Sequence, residues 1–134
     1  VYRISKDGTV TAFAAFADGV HRPYGLAVDA DDNLYIANSS NQYPAIIRIT
    51  PDGSASVFSD DLDTAGVLDM TFDENGVLYA SNRSAETIHT LDADGVATLF
   101  ADSTDGLDDP SALAFIITGI YITFGGQTAA IRTL

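Results

Sequence analysis

Short runs of apolar residues alternate with polar ones along the chain, and clusters of Asp, Asn, Gly and Pro separate the runs. The runs are rich in β-branched and aromatic residues, which is typical of strands, and none has a helical period over a useful length. The pattern predicts strands at 1–5, 9–13, 25–29, 34–38, 46–50, 54–58, 70–73, 77–81, 87–91, 96–100, 112–115, 120–122 and 130–134.

One turn motif recurs at a nearly constant interval. Lys-Asp-Gly-Thr at 6–9 returns as Pro-Asp-Gly-Ser at 51–54 and as Ala-Asp-Gly-Val at 93–96, so that its glycines are 45 and 42 residues apart. Asp-Gly supplies the positive φ that a tight hairpin requires. Phe13, Phe58 and Phe100 keep the same intervals. Four strands per repeat, named A to D in chain order, are typical of a propeller blade, whereas a sandwich would not repeat its turn chemistry at a fixed period.

The repeat therefore predicts an all-β fold, a β-propeller of four-stranded antiparallel blades with about three blades in the chain. We interpret residues 1–134 as one propeller segment. It divides into a partial blade at 1–16, complete blades at 17–60 and 61–102, and a partial blade at 103–134.

The first complete repeat carries a resemblance to a known family. Pro-Tyr-Gly-Leu-Ala-Val-Asp-Ala-Asp-Asp-Asn-Leu-Tyr-Ile-Ala-Asn at 23–38, continued by Ile-Arg-Ile-Thr-Pro-Asp-Gly at 47–53, resembles an NHL repeat. The wider group is the six-bladed, TolB-like propellers, which include the gluconolactonase/regucalcin-like hydrolases. The resemblance implies six blades, or about 260 residues, so that this chain would supply half of the ring. It leaves the function open, because one fold hosts enzymes and binders alike.

An arc of three blades would leave apolar blade faces and strand edges in water, where they pair readily with another chain. Two outcomes are open. Two copies close a ring as a homodimer, or the rest of a longer chain completes it. The predicted strands fall into groups of two, four, four and three. These are thirteen strands, whereas three four-stranded blades need twelve, and the surplus strand is a C strand. Closure by a dimer would therefore displace one of the two terminal C strands, either 1–5 or 130–134.

Composition narrows the function classes. The 134 residues include 19 acids and 6 bases, for a formal net charge of −13, which disfavours nucleic acid and anionic membranes as partners. The absence of cysteine excludes disulfides, thiolate zinc sites and a Cys nucleophile. No apolar run is long enough to span a bilayer. The chain opens on Val1 without a leader, which predicts a mature exported product or a fragment, and the acid-rich composition favours an extracellular or periplasmic, bacterial-like protein.

Propeller sites lie at the channel mouth, on the loops that join strand D to A and strand B to C. These loops and the adjoining strand ends predict a polar, anionic mouth. Asn at the end of two B strands serves a ligand or caps a turn, and we favour the structural role. The candidate ligand-binding residues are His21, Arg22, Tyr24, Asn38, Asp69, Asn82 and Arg83.

Clustered aspartates in the same loops are weak candidates for a Ca²⁺ site, and a solvated acidic loop is the alternative. They are Asp60, Asp61, Asp63, Asp105, Asp108 and Asp109. The gluconolactonase-like resemblance implies metal ligands at the entry of the A strands, where this chain has Tyr24, Leu68 and Ser111. None of these is a carboxylate or Asn, and Asp69 lies one residue away.

Two functions follow from these residues. The first is a non-enzymatic binding module whose acidic mouth holds a small ligand, a peptide or a glycan. The alternative is a metal-dependent lactone or ester hydrolase, or a lyase, of the gluconolactonase-like class. The sequence has no Gly-x-Ser-x-Gly elbow and supports no Ser-His-Asp triad. We therefore predict no catalytic residue, and the missing carboxylates at the entry of the A strands favour the binding module.

Overall fold

The structure is a computed structural model that describes residues 1–40, 42–43, 46–62, 66–117, 119–125 and 131–133. Every strand pairing in it is antiparallel. In chain order the strands are β1 (Tyr2–Ile4), β2 (Val10–Ala12), β3 (Pro23–Val28), β4 (Leu34–Asn38), β5 (Ile46–Ile49), β6 (Ala55–Ser59), β7 (Val67–Phe72), β8 (Leu78–Asn82), β9 (Thr87–Leu91), β10 (Ala97–Ala101), β11 (Pro110–Ile116), β12 (Gly119–Phe124) and β13 (Ile131–Thr133).

These strands form four separate sheets. Two are complete four-stranded meanders, β3–β6 and β7–β10, flanked by the pair β1–β2 and the triple β11–β13. The first strands of successive sheets lie side by side, β3 beside β7 and β7 beside β11. Blades whose inner strands adjoin in this way are arranged about a propeller axis, which confirms the predicted all-β architecture.

Two 3-10 turns, Phe16–Asp18 and Ser103–Asp105, lie in the loops before β3 and β11. Asp102 caps the second turn, where its side chain accepts a hydrogen bond from the Thr104 N–H. In the described part of the chain, no helix has the length and apolarity needed to cross a membrane.

The inner strands begin earlier than the alternation predicts. The sequence places their starts at 25, 70 and 112, whereas β3, β7 and β11 begin at Pro23, Val67 and Pro110. In each strand the register shifts after the first pair, for example between Val67 and Asp69. Such a bulge breaks the period-two pattern, and Pro is tolerated at the first position of a strand.

The cores lie between consecutive blades. Between the two complete blades, Tyr35 packs edge-on against Phe58 and Phe72, with ring centroids 4.8 and 5.0 Å apart. In the next interface, Tyr79 meets Phe100 in the same way at 5.1 Å. Tyr35 and Tyr79 therefore serve packing between blades.

Equivalent positions of the repeat differ in exposure at the two ends of the arc. Leu26 of β3 is 48% exposed, whereas Met70 of β7 and Leu113 of β11 are 3% and 8% exposed. At the other end, Tyr121 of β12 is 40% exposed while its equivalent Tyr35 is 5% exposed. The blade β7–β10 has a neighbouring blade on each face. The leading face of β3–β6 and the far face of β11–β13 instead present apolar side chains to solvent.

Candidate functional site

Three of the predicted site residues line one cleft at the mouth of the arc, where loops of the two complete blades meet the start of β11. We call it the mouth cleft; its volume is about 360 Å³. Its lining combines hydroxyl, charged and aromatic groups: Tyr24, Ser39, Gly66, Leu68, Arg83, Ser84, Glu86 and Asp109.

An ion pair forms the charged side of the mouth cleft. Arg83, in the loop after β8, approaches Asp109, in the loop before β11, with 3.0 Å between Nη2 and Oδ2. The hydrogen bond from the guanidinium lowers the pKa of Asp109, and the same contact raises the pKa of Arg83. The two side chains are 48% and 34% exposed, so both partners stay charged and reachable by a ligand.

The backbone conformation of Asp109 and a hydrogen bond to its carbonyl hold this residue in place. Its φ of 52° is in the left-handed region, which Asp tolerates better than most residues. Its carbonyl accepts a hydrogen bond from the Gly125 N–H at 2.8 Å. The loop before β11 is thereby tied to the end of β12.

Tyr24 supplies the aromatic wall of the mouth cleft. It lies near the start of β3 and is 57% exposed. Together with the Arg83–Asp109 pair and the hydroxyls of Ser39 and Ser84, it offers a ring face, donors and acceptors within one cleft.

His21, in the loop before β3, and Asn38, the last residue of β4, are both buried. The Asn38 amide accepts a hydrogen bond from the His21 N–H at 2.8 Å and donates to the Gly19 carbonyl at 2.9 Å. The His21 ring stacks on Tyr43, with centroids 3.2 Å apart. Arg22 is exposed, and its carbonyl accepts from the Ser39 N–H at 3.1 Å. The structure places these groups around the loop rather than in the mouth cleft.

Asn82 occupies the position of Asn38 in the next blade, at the end of β8. It is 1% exposed, and its side-chain oxygen accepts a hydrogen bond from the Ala85 N–H at 3.1 Å. In the third blade the equivalent position is Phe124, which is 7% exposed and packs into the core. An apolar residue can replace the amide, which fits the structural role that the sequence favours for both asparagines.

Asp69 joins neighbouring blades. Its Oδ2 accepts a hydrogen bond from the Leu113 N–H at 2.9 Å, across from β7 to β11. Beside it, the buried Ser81 donates to the Ser111 carbonyl at 2.9 Å. Sequence reasoning missed the role of Ser81, although a small polar residue at an apolar strand position was a signal for it.

The predicted calcium ligands do not converge in the described residues, where no group of three or more His, Asp or Glu side chains could hold a metal. Asp60, Asp61 and Asp108 are exposed, whereas Asp109 binds Arg83. Asp105 accepts a hydrogen bond from the Asp102 N–H. Asp63 lies outside the described residues.

The metal implied by the family resemblance does not fit the inner strands either. Its positions are occupied by Tyr24, Leu68 and Ser111, and the nearby Asp69 carboxylate already accepts a backbone N–H. These side chains do not form the set of oxygen ligands that Ca²⁺ requires.

Known proteins are similar to this chain in structure. A scan against protein-family models finds no match, and no curated protein matches significantly. A virginiamycin B lyase from Staphylococcus aureus is 19% identical with a TM-score of 0.70, over 99% of this chain and 48% of that one. Regucalcin from Agrobacterium tumefaciens, a calcium-binding protein, is 18% identical with a TM-score of 0.71, over 91% and 43%. A chain of a nidogen–laminin complex is 20% identical with a TM-score of 0.75, over 97% and 51%.

These similarities confirm the partial propeller and the predicted resemblance at the level of the fold. The chain spans about half the length of these solved structures. They include an enzyme, a calcium-binding protein and a member of a protein complex, so the fold does not decide between catalysis and binding.

Proposed function

We propose that the chain is a non-enzymatic binding module that holds a small polyhydroxyl ligand, such as a sugar, in the mouth cleft. The observation that carries the proposal is the Arg83–Asp109 pair beside the exposed Tyr24. A guanidinium and a carboxylate that face the same solvent can donate to and accept from adjacent hydroxyls of one ligand.

The charges of the mouth cleft favour an uncharged polar ligand. Arg83 and Asp109 neutralise each other, and Glu86 is the remaining charged residue of the lining. Tyr24 presents an apolar ring on which the carbon face of a sugar can rest, with two serines nearby for hydrogen bonds. A ligand that bound here would contact groups held by three different loops or strand ends.

Calorimetry that measures the binding of a panel of mono- and disaccharides tests the proposal. We expect at least one saccharide to bind. Arg83→Gln should weaken binding about tenfold, since a hydrogen bond to a charged group contributes about 1.5 kcal/mol. Tyr24→Ala should weaken binding by about the same factor, because it removes the ring on which the carbon face of the sugar rests. Lys6→Ala is the matched control, because Lys6 is an exposed cation in a turn on the opposite rim. Binding that survives both cleft variants, or binding of a lysine tripeptide instead of any sugar, would contradict the proposal.

The catalytic alternative is distinguished by metal dependence. A propeller enzyme of the gluconolactonase-like class would hydrolyse a lactone or ester panel with a bound divalent ion. Turnover that a chelator abolishes would replace the binding module with an enzyme. A native-state calcium site would also raise the melting temperature in millimolar Ca²⁺, by linkage. We expect neither effect, because the carboxylates of the described loops do not converge.

A further inference from the structure

The two ends of the arc are complementary in strand content. Arg48 pairs with Tyr35, Thr90 with Tyr79 and Thr133 with Tyr121, so β5, β9 and β13 are equivalent C strands. The repeat places β1 at the same position, with Arg3 equivalent to Arg48. The pair β1–β2 therefore has the outer strands C and D of a blade, and β11–β12 are the inner strands A and B.

A cleft of about 420 Å³ lies where the pair β1–β2 would need its inner strands. Most of its lining is apolar: Val1, Tyr2, Arg3, Phe13, Leu26, Val28, Asp32, Leu34 and Pro51. Leu26 and Val28 are 48% and 55% exposed there. In the next two blades, the residues equivalent to Leu26 are buried against the preceding blade. We call this space the leading cleft.

We propose that the β11–β12 hairpin of a second copy of this chain fills the leading cleft, and that β1 takes the place of that copy's β13. The chain spans between 43% and 51% of the similar propeller chains, so two copies have the length of one ring. A two-fold axis makes the two junctions identical, which satisfies both open ends at once.

The number of strands supports the exchange of β13. Three four-stranded blades use twelve strands, whereas the chain has strands up to β13, so each copy carries one strand too many. β1 continues through its own hairpin into β2, which is a D strand. Retaining β1 keeps the blade complete with its D strand.

The exchange fixes a register. Within one chain, Tyr121 pairs with Thr133 and Thr123 with Ile131. Replacing β13 by β1 sets Arg3 opposite Tyr121 of the second copy, and Val1 opposite Thr123. In one chain, two complete blades separate Arg3 from Tyr121, so these residues meet only between copies.

Engineered cysteines test this register in a chain that has no cysteine of its own. We expect the double variants Arg3→Cys/Tyr121→Cys and Val1→Cys/Thr123→Cys each to oxidise to a covalent dimer, which reducing agent resolves into single chains on a denaturing gel. The crossed variant Arg3→Cys/Thr123→Cys is the matched control. Its Cβ atoms would be diagonal neighbours about 7 Å apart, too far for a disulfide, which needs about 4 Å. Circular dichroism of the reduced variants verifies that each keeps its strands.

Covalent dimers in both matched pairs and not in the crossed variant would support the exchange. Folded variants that stay monomeric, as expected if another part of a longer polypeptide completes the ring, would overturn it. Equal cross-linking in matched and crossed variants would overturn it as well, because it would indicate contact without the register. The mouth cleft lies within one chain, so these outcomes are independent of the sugar-binding test.

Discussion

Arg83 and Asp109 show how one contact sets the properties of the mouth cleft. The guanidinium lowers the pKa of Asp109 below its ordinary value of 3.8. A depressed carboxyl pKa means that the contribution of the pair to stability is present above the ordinary pKa of 3.8 and is lost as the pH falls through the lower pKa of the folded state. The cleft therefore keeps both charges throughout the physiological range.

Replacing Arg83 tests this contact. In Arg83→Gln we expect the pKa of the Asp109 carboxyl, followed by NMR, to return to about 3.8. Asp7 is the control, because hydrogen bonds from Ser5 and Thr9 lower its pKa to about 2, remote from Arg83. An Asp109 titration that is unchanged in the variant would show that the ion pair does not form.

His89 has a different electrostatic role. Burial lowers its pKa from 6.5, and its Nδ1 is buried without a hydrogen-bond partner in the described residues. Its equivalent in the first complete blade is Ile47, which is 2% exposed. Because protonation favours the unfolded chain, the contribution of His89 to stability falls as the pH drops below 6.5.

His89→Ile removes both the titration and the unpaired nitrogen. At pH 7 we expect the free energy of unfolding to rise by about 1 kcal/mol, since an unsatisfied buried group is removed. Between pH 7 and 5, the melting temperature of the natural chain should fall more steeply than that of the variant. Melting temperatures that fall equally with pH in the natural chain and in the variant would contradict the role assigned to His89.

Individual site residues were only partly predictable from sequence. The order of loops in the repeat was enough to predict Tyr24 and Arg83 as residues of the channel mouth. The pairing of Arg83 with Asp109 was not predictable, because the two residues lie in different loops and the sequence gives no register between blades. Asp109 was instead grouped with the acidic candidates for calcium.

At the scale of elements, an Asp-Gly turn can also form part of the packing between blades, besides closing its hairpin. Gly53 and Gly95 occupy the same turn with φ near 88° and 79°. A Cβ on Gly53 would meet nothing within 4 Å, whereas one on Gly95 would overlap the Phe58 carbonyl of the preceding blade. The second turn therefore packs directly on its neighbour.

This difference predicts unequal costs for the same substitution. Gly53→Ala should lower the free energy of unfolding by about 1 kcal/mol, the cost of a positive φ. Gly95→Ala should cost a further ~1–3 kcal/mol because the β6 backbone must move. Urea denaturation of the two variants measures the difference. Equal costs would show that the blades are not packed through this turn.

Strand existence was predictable and strand starts were not. Periodic Asp-Gly turns located the hairpin between strands C and D of each repeat, because they require local backbone conformations that few residues adopt. The bulges at the starts of β3, β7 and β11 break the alternation, so the period-two pattern misses the first residues. Asp69 lies inside such a start, where its link to Leu113 depends on a blade more than forty residues away.

At the scale of the whole molecule, both ends of the arc expose apolar side chains. Repeat spacing predicted blades and their order, but it could not show which faces stay open. The exposure of equivalent positions identifies the open face, because Leu26 is exposed whereas Met70 and Leu113 are buried. A propeller arc is stable in proportion to the faces that its neighbours cover.

A pair of valines with equal exposure tests which face is an interface. Val28, in the leading cleft, and Val57, on the outer strand β6, are both 55% exposed. We expect Val28→Asp to weaken dimer formation at least about tenfold, because a charge would be buried against the second copy. Val57→Asp should leave it unchanged. Equal effects of the two substitutions would place the interface elsewhere.

Sedimentation of the unmodified chain at micromolar concentration tests ring closure most directly. The account predicts a single species at twice the chain mass of 14.1 kDa, with no larger assembly, because a two-fold ring has no free end. A folded species at the mass of one chain, with the β-sheet signal intact in circular dichroism, would contradict it.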